Sequence, residues 1–294
     1  MRIVPDLRVR VVKDMEKAVA SVDFLAQDRD AIARALAEIA LLAGPAVMEE
    51  YARRGEAREK ADGSPVTAAD ERAEAIIAAE LSRVAPDIAI VAEEATAAGA
   101  SLVAPERFFL VDPLDGTREF IAGNGEFTVN IGLVERGVPI AGAVYAPAID
   151  RIWFGGASAS AAKVGVGGSL PQACETLRVR KAAERLSALA SRSHADPATE
   201  AFLSRLGVAE RVSAGSSLKF CVIAEGRADV YPRFAPTMEW DTAAGDAVLR
   251  AAGGSVAALD GKPLAYGKLD KGLRNSGFVG FGDLGLAGRV FNAL

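Results

Sequence analysis

Residues 108–117 read Phe-Phe-Leu-Val-Asp-Pro-Leu-Asp-Gly-Thr, an apolar run that ends directly in two aspartates. The apolar part is too short for a helix and has the composition of a buried strand. A turn that contains Pro113 can direct Asp112 and Asp115 towards one point while it exposes the Leu114 carbonyl oxygen. Three oxygen ligands of this kind suit a hard divalent cation.

Gly116 and Thr117 follow the second aspartate, and their backbone amides can hold a phosphate oxygen, especially if a helix begins there. Two further acids stand at the ends of predicted elements. Glu93 follows the apolar run 88–91, and Asp241 lies where a helix is predicted to begin. Taken singly, an aspartate at a helix start is typical of an N-cap, and a glutamate after a strand is typical of solvated surface.

Taken together, these four acids match what a two-metal phosphoryl-transfer site requires, because His194 is the only histidine and the chemistry must rest on carboxylates. The residue types fit Mg²⁺. They also fit a Ca²⁺-binding module, but that interpretation leaves the amides of Gly116 and Thr117 and the polar pair Asp70 and Thr117 without a purpose.

The composition narrows the class of protein. With 294 residues, 50% of them hydrophobic, the chain can bury a large core. A net charge of −5 argues against a general nucleic-acid binder. Cys174 and Cys221 support neither a disulfide framework nor a cysteine zinc site, so we expect a cytoplasmic protein. The N-terminal stretch lacks the features of a signal peptide, and we expect no run that approaches the length of a membrane span.

The periodicity of apolar residues predicts a helix over 28–54, with a kink at Pro45, and a second helix to Val84 that begins at a capping box of Thr67 and Asp70. Further strands are predicted over 127–134, 140–145, 152–154 and 186–190 and at 230, and further helices over 197–206, 218–224 and 242–251.

These patterns predict an α/β (α+β) protein in three segments. Residues 1–26 form an N-terminal extension, and 27–165 form an α+β half that holds most of the metal ligands. Residues 166–294 form an α/β half that contains Asp241, one of the four acids. The glycine-rich stretch 155–172 is the best candidate for the boundary.

Five motifs in order resemble the lithium-sensitive, Mg²⁺-dependent phosphatases of the inositol monophosphatase family, over about residues 28–290. They are Ser64-Pro65-Val66-Thr67 with Asp70, Glu93-Glu94, Asp112 to Thr117, Gly215-Ser216-Ser217 and Trp240 to Gly245. The resemblance implies a layered α/β/α/β/α sandwich with the site between its two halves. It also implies inhibition by Li⁺.

The resemblance implies a site for two or three Mg²⁺ ions. Glu93, Asp112 and the Leu114 carbonyl would hold the first ion, and Asp112, Asp115 and Asp241 the second.

The resemblance also assigns the catalytic residues. Asp70 and the Thr117 hydroxyl would orient and activate the attacking water, with Glu93 beside them.

Within the family, stretches 117–133, 215–221 and 231–245 resemble bacterial 3′(2′),5′-bisphosphate nucleotidases, which remove the 3′-phosphate of adenosine 3′,5′-bisphosphate and belong to sulfur metabolism. Such a substrate needs a second anion site. The resemblance assigns it to Ser216, Lys219 and Arg233, places His194 near the adenine and adds Asp115, Gly116, Thr117 and Asp241 as substrate contacts.

Other interpretations stay open at this stage. Lys219 and Arg233 can equally be a solvated lysine and a packing arginine, and His194 can cap a helix. The same metal ligands would serve an inositol-1-phosphate or sugar-bisphosphate phosphatase, or a metal-binding regulatory protein that keeps the fold. The sequence also leaves open a monomer or a homodimer, activity on 3′-phosphoadenylyl sulfate, and the role of residues 1–26.

Overall fold

The computed structural model describes residues 28–53, 58–59, 65–190 and 197–294, so the predicted extension over 1–26 lies outside the described residues. The α-helices are α1 (Arg29–Arg53), α2 (Ala68–Val84), α3 (Glu93–Ala97), α4 (Thr117–Ala122), α5 (Pro197–Leu206), α6 (Leu218–Ala224), α7 (Trp240–Ala251) and α8 (Ala287–Ala293). Short 3₁₀ helices cover Pro147–Ile149, Leu269–Lys271 and Leu284–Leu286.

The strands are β1 (Arg58–Glu59), β2 (Pro65–Val66), β3 (Ala89–Ala92), β4 (Arg107–Asp115), β5 (Thr128–Glu135), β6 (Val138–Ala146), β7 (Arg151–Gly155), β8 (Ala159–Lys163), β9 (Glu175–Leu177), β10 (Leu186–Ala190), β11 (Val208–Ser213), β12 (Val230–Arg233), β13 (Thr237–Met238), β14 (Ser255–Ala258), β15 (Arg274–Asn275) and β16 (Phe278–Phe281).

Two sheets organise the fold. The larger has seven strands in the order β3-β4-β5-β6-β7-β8-β9, with β3 parallel to β4 and every other neighbouring pair antiparallel. The smaller has five strands in the order β11-β10-β12-β16-β14, with β10 parallel to both of its neighbours. Two short pairs, β1 with β2 and β13 with β15, are antiparallel.

Three apolar cores hold five layers together, and the second of them extends over both faces of the central helical layer. Helices α1 and α2 pack on one face of the seven-stranded sheet. Its other face packs against α6 and α7, which also cover the five-stranded sheet. Helices α5 and α8 close the outer face of that second sheet. The predicted α/β/α/β/α sandwich is therefore confirmed.

Helix α1 corrects one expectation from the sequence. It is long and apolar enough to span a membrane by length and composition, although no such run was expected. However, 61% of its most apolar window is buried inside the protein, as in a core helix. Residue 44 of this helix lies close to the ring of Tyr145, since a Cβ there would be 2.6 Å from Cε1. This close contact favours glycine at the position.

Most predicted elements have close counterparts in the structure. The predicted bounds of β10, α5 and α6 agree with the observed ones, and the capping box of Thr67 and Asp70 is present. The prediction omitted several short strands, among them β9, β11 and β16. Strand β9 lies after the predicted boundary at 165 and belongs to the first sheet. The proposed division of the chain into halves stays a prediction.

Candidate active site

The site begins at the irregular end of β4. Regular pairing with β5 stops after Asp112, and the register shifts before Asp115. The Asp112 carboxylate turns back on its own loop, with Oδ1 accepting a hydrogen bond of 3.0 Å from the Leu114 amide. Gly116 then adopts a φ of 91° and precedes α4, and a Cβ there would lie 3.2 Å from the Glu126 carbonyl oxygen. The left-handed conformation and the close backbone both favour glycine.

The parallel pairing of β3 with β4 brings the next acid alongside. Ala92 lies opposite Val111, and each is followed in sequence by an acid. Because parallel strands end at the same edge of a sheet, Glu93 and Asp112 leave that edge together. Glu93 is also the first residue of α3.

Asp70 uses its two carboxylate oxygens for different tasks. Oδ2 accepts hydrogen bonds from the amide and the hydroxyl of Thr67, at 2.8 and 2.7 Å, and so completes the capping box of α2. Oδ1 lies 3.5 Å from Oγ1 of Thr117, which is itself 3.3 Å from the Leu114 carbonyl oxygen. Asp70 therefore caps α2 with one carboxylate oxygen and directs the other towards the end of β4.

Asp241 enters the site from α7, between the two sheets. Its Oδ2 accepts a hydrogen bond of 2.9 Å from the Met238 amide. Helix α7 lies close to the first sheet, since a Cβ at Gly142 would lie 2.8 Å from the Ala244 carbonyl oxygen. This glycine contact lets the small residues after Trp240 approach the sheet and brings Asp241 near the β4 aspartates.

Mutual repulsion links these acids. Burial raises the pKa of Asp112 well above its usual range, and the nearby charges of Glu93, Asp115 and Asp241 raise it further. Burial likewise raises the pKa of Asp241, followed by the charge of Asp115. Buried carboxylates that disfavour one another's ionisation require a cation to hold them charged near neutral pH.

The spacing of the acidic side chains is wider than that of a set of metal ligands. Within the described residues, no group of three or more His, Cys, Asp or Glu side chains lies at metal-holding spacing. Hydrogen bonds from the protein engage one carboxylate oxygen on each of the three aspartates. The donors are Leu114 to Asp112, Ser216 and Ser217 to Asp115, and Met238 to Asp241.

A pocket of about 930 Å³ opens beside these acids. Lys219, only 8% exposed, places Nζ 5.3 Å from the centre of the Tyr231 ring and 3.1 Å from the Ser216 carbonyl oxygen. Burial lowers the pKa of this lysine, as does the charge of Arg233, while the Asp115 charge raises it. The residues of the predicted site that line the pocket are Asp115, Gly116, Ser216, Lys219, Arg233 and Asp241.

A buried chain of hydroxyl groups behind Asp115 was not predicted from the sequence. The hydroxyl of Thr128 lies 2.7 Å from those of Ser216 and Ser217, and the Ser217 hydroxyl donates to Oδ1 of Asn130 at 2.7 Å. Thr128 and Asn130 are fully buried polar residues on alternate positions of β5. Polar residues inside an otherwise apolar strand were the signal that could have identified them.

The structure groups most of the predicted site residues. It brings Asp70 and Thr117 together, and Asp112, Asp115, Asp241 and Glu93 into one electrostatic cluster. His194 lies outside the described residues.

Comparison with known proteins decides the family. The sequence profile described as the inositol monophosphatase family matches residues 28–277. The chain belongs to the inositol monophosphatase family. This confirms the resemblance that the five motifs indicated.

Relatives of this inositol monophosphatase family member include enzymes named 3′(2′),5′-bisphosphate nucleotidase CysQ. That of Shigella flexneri is 46% identical over 231 residues, which cover 78% of this chain and 91% of the relative. That of Escherichia coli K12 is 45% identical over the same shares.

Solved structures support the same placement. CysQ from Bacteroides thetaiotaomicron superposes with a TM-score of 0.70 at 39% identity, covering 85% of this chain and 96% of that one. An inositol monophosphatase from Anabaena gives a TM-score of 0.69 at 25% identity, covering 90% and 95%.

Proposed function

We propose that the protein is a Mg²⁺-dependent 3′(2′),5′-bisphosphate nucleotidase that hydrolyses the 3′-phosphate of adenosine 3′,5′-bisphosphate to give AMP and phosphate. The observation that carries this proposal is the pair of cations, Lys219 and Arg233, in the pocket that Asp115 and Asp241 also line. In a substrate with two phosphate groups, one phosphate would use the metal that the acids hold, and the other would bind to the two cations. The 46% identity to a nucleotidase of this name supports the choice of substrate.

The residues fit Mg²⁺ by their chemistry. Asp112, Asp115 and Asp241 offer hard oxygen atoms in a buried region where their own charges repel. We assign the metal site to these three, Glu93 and the Leu114 carbonyl, for two or three ions. When bound, Mg²⁺ polarises the phosphate oxygens, lowers the pKa of a water molecule and neutralises the leaving oxygen.

Asp70 and Thr117 are assigned to the attacking water. Because Oγ1 of Thr117 and Oδ1 of Asp70 are 3.5 Å apart, one water molecule can hydrogen bond to both. Asp70 accepts the water proton, which removes the need for free hydroxide near neutral pH. Attack at phosphorus breaks the bond to the 3′-oxygen of the nucleotide. Glu93 lies at the same sheet edge and completes the catalytic group in this proposal.

We assign the two phosphate groups of the substrate to different sets of residues. The amides of Gly116 and Thr117, at the start of α4, would bind the cleaved phosphate, and Asp115 and Asp241 would hold the Mg²⁺ that polarises it.

Ser216, Lys219 and Arg233 bind the phosphate that is not cleaved. The Arg233 Nε is buried and has no hydrogen-bond partner within the described residues, so an anion would satisfy it. His194 is assigned to the adenine as a further substrate contact.

Several finer properties belong to the same proposal. We assign the enzyme to the cytoplasm and to sulfur metabolism, with Li⁺ as an inhibitor. Its substrate partner is a small bisphosphorylated nucleotide and not a nucleic acid, in keeping with the net charge of −5. Monomer and homodimer are both compatible with the proposal.

A substrate panel tests it. Phosphate release is measured from adenosine 3′,5′-bisphosphate, inositol 1-phosphate and fructose 1,6-bisphosphate, with Mg²⁺ and with EDTA. We expect Mg²⁺-dependent turnover with the highest kcat/KM for the nucleotide. A higher kcat/KM for inositol 1-phosphate would replace the substrate assignment, and full turnover in EDTA would remove the metal assignment.

A further inference from the structure

Glu74 is a buried glutamate of α2 that the proposed reaction does not use. It is only 8% exposed, although a glutamate is rarely buried without a partner. It lies four residues after Asp70, so both side chains project from the same face of α2.

The Glu74 carboxylate holds the first turn of the neighbouring helix α3. Oε2 accepts a hydrogen bond of 2.7 Å from the Glu94 amide, and Oε1 accepts one of 2.8 Å from the Ala95 amide. These are the second and third residues of α3, whose amides have no partner inside the helix. Bonds from amides to a carboxylate are stronger than neutral ones.

Helix α3 lacks the usual local cap. Its N-cap residue is Ala92, which makes no side-chain hydrogen bond to the helix. An N-cap serine or aspartate would normally accept from the second or third amide. Glu74 therefore supplies from another helix what residue 92 does not supply.

We infer that Glu74 is a positioning residue for the metal site, because it fixes the first turn of α3 and thereby the direction of Glu93. This inference rests on the proposed function, in which Glu93 holds Mg²⁺. Two residues on one face of α2 then serve the site. Asp70 would orient the attacking water, and Glu74 would orient Glu93, a ligand of the first metal ion. Groups that orient metal ligands in this way change metal affinity or activity by roughly 10- to 100-fold when replaced.

The test compares Glu74→Gln with Glu71→Gln. In the first variant the new amide side chain keeps the size of the original but presents an NH₂ group to one of the two backbone amides, so one bond is lost. Glu71 is a matched control, because it lies on the same helix and is exposed, with an ion pair to Arg58. Magnesium binding is measured by calorimetry, and hydrogen exchange of the Glu94 and Ala95 amides is measured by NMR in metal-free protein.

We expect Glu74→Gln to weaken Mg²⁺ binding about 10-fold and to accelerate exchange of the amide that loses its acceptor by at least about 10-fold. Glu71→Gln should leave both at the wild-type values. Wild-type Mg²⁺ affinity and amide exchange in Glu74→Gln would overturn the inference. A wild-type protein that hydrolyses the nucleotide without Mg²⁺ would instead remove the proposed function, and the exchange result would still be read separately.

A second variant separates positioning from general stability. In the Glu74→Gln background, Ala92→Ser adds a local cap whose hydroxyl can accept from the Glu94 or the Ala95 amide. We expect this double variant to recover most of the lost Mg²⁺ affinity, and no recovery would count against the inference. If Glu74→Gln does not fold, Glu74→Asp takes its place, since the shorter carboxylate keeps its charge but cannot reach both amides.

Discussion

The Ser216 hydroxyl donates a hydrogen bond of 2.6 Å to Oδ2 of Asp115, and this contact joins the end of β4 to the turn that precedes α6. The Ser217 amide donates to the same oxygen at 2.6 Å. Burial is the largest influence on Asp115 and raises its pKa, while the Ser216 hydrogen bond is the largest influence that lowers it. The second half of the chain therefore helps to keep a first-half carboxylate ionised.

Ser216→Ala should weaken Mg²⁺ binding most at low pH. Loss of the hydrogen bond raises the pKa of Asp115, so a larger fraction is protonated as pH falls, and a protonated carboxyl group binds the metal poorly. We expect the acid limb of the pH–activity profile to move to higher pH. Ser101→Ala, in the exposed loop before β4, should keep the wild-type profile. Coincident acid limbs for Ser216→Ala and wild type would contradict the prediction.

Asp112→Asn should separate activity from stability. The carboxylate is assigned to both metal sites, and its loss should reduce kcat by roughly 100-fold or more. The metal-free protein should become more stable near neutral pH, because Asp112 is 1% exposed and its charge is disfavoured by burial and by three nearby acids.

Thermal unfolding with and without Mg²⁺ checks both parts. Wild type should gain stability when Mg²⁺ binds, and the variant should begin from a higher Tm in EDTA but gain less from the metal. Near-normal turnover of the variant at saturating Mg²⁺ would remove Asp112 from the metal assignment.

The sequence predicted the layers and the acids because both follow from local patterns. The apolar run before Asp112 is visible in consecutive residues of the sequence, and the Thr67 capping box needs only four residues. The hydroxyl chain of Thr128, Ser217 and Asn130 could not be predicted in this way, because it joins residues 87 or more positions apart.

The burial of Lys219 is the same kind of case. Its position on a seven-residue helix does not predict which residues cover it. In the fold the side chain is buried, and its Nζ lies 5.3 Å from the centre of the Tyr231 ring on β12. Similarly, a glycine inside a helix is unfavourable when only local propensity is considered. In the fold the ring of Tyr145 occupies the space beside Gly44 and explains its small size.

The choice of divalent cation should matter. An all-oxygen site admits Ca²⁺, but this larger ion takes more ligands at longer distances and does not hold in-line geometry. We expect Ca²⁺ to inhibit the Mg²⁺-supported reaction and to support none alone, and we expect Li⁺ to inhibit. Phosphate release with each cation added to a fixed Mg²⁺ concentration measures this. Equal turnover with Ca²⁺ as the sole divalent ion would contradict it.

Asp246 should make folding stability depend on pH. Burial raises its pKa from 3.8 to about 6, against the opposing influence of Arg250. Between these values the folded state keeps the proton and the unfolded state has lost it, so stability should fall as pH rises from about 4 to about 6, by roughly 2–3 kcal/mol. Denaturant unfolding of metal-free protein measures this window. Asp246→Asn should flatten the slope, and parallel curves for the two proteins would count against it.

Lys219 should distinguish the nucleotide that carries two phosphate groups from one that carries a single group. In our proposal this lysine binds the 5′-phosphate of adenosine 3′,5′-bisphosphate, which is not cleaved. Lys219→Ala should then weaken transition-state binding of that substrate by about 1.5–3 kcal/mol, the range for a hydrogen bond to a charged partner. This corresponds to roughly a 10- to 100-fold loss in kcat/KM.

The same change should scarcely affect hydrolysis of adenosine 3′-monophosphate, which lacks the 5′-phosphate and presents only the cleaved group to the metals. Measuring kcat/KM for both substrates on both proteins forms a double comparison in which any general effect on folding cancels. Lys262→Ala removes an exposed lysine whose ion pair with Asp260 lies on the surface, and it should change neither value. Equal losses for the two substrates would contradict the assignment to the second phosphate. They would show that Lys219 acts through its hydrogen bond to the Ser216 carbonyl oxygen and through its charge beside Asp115.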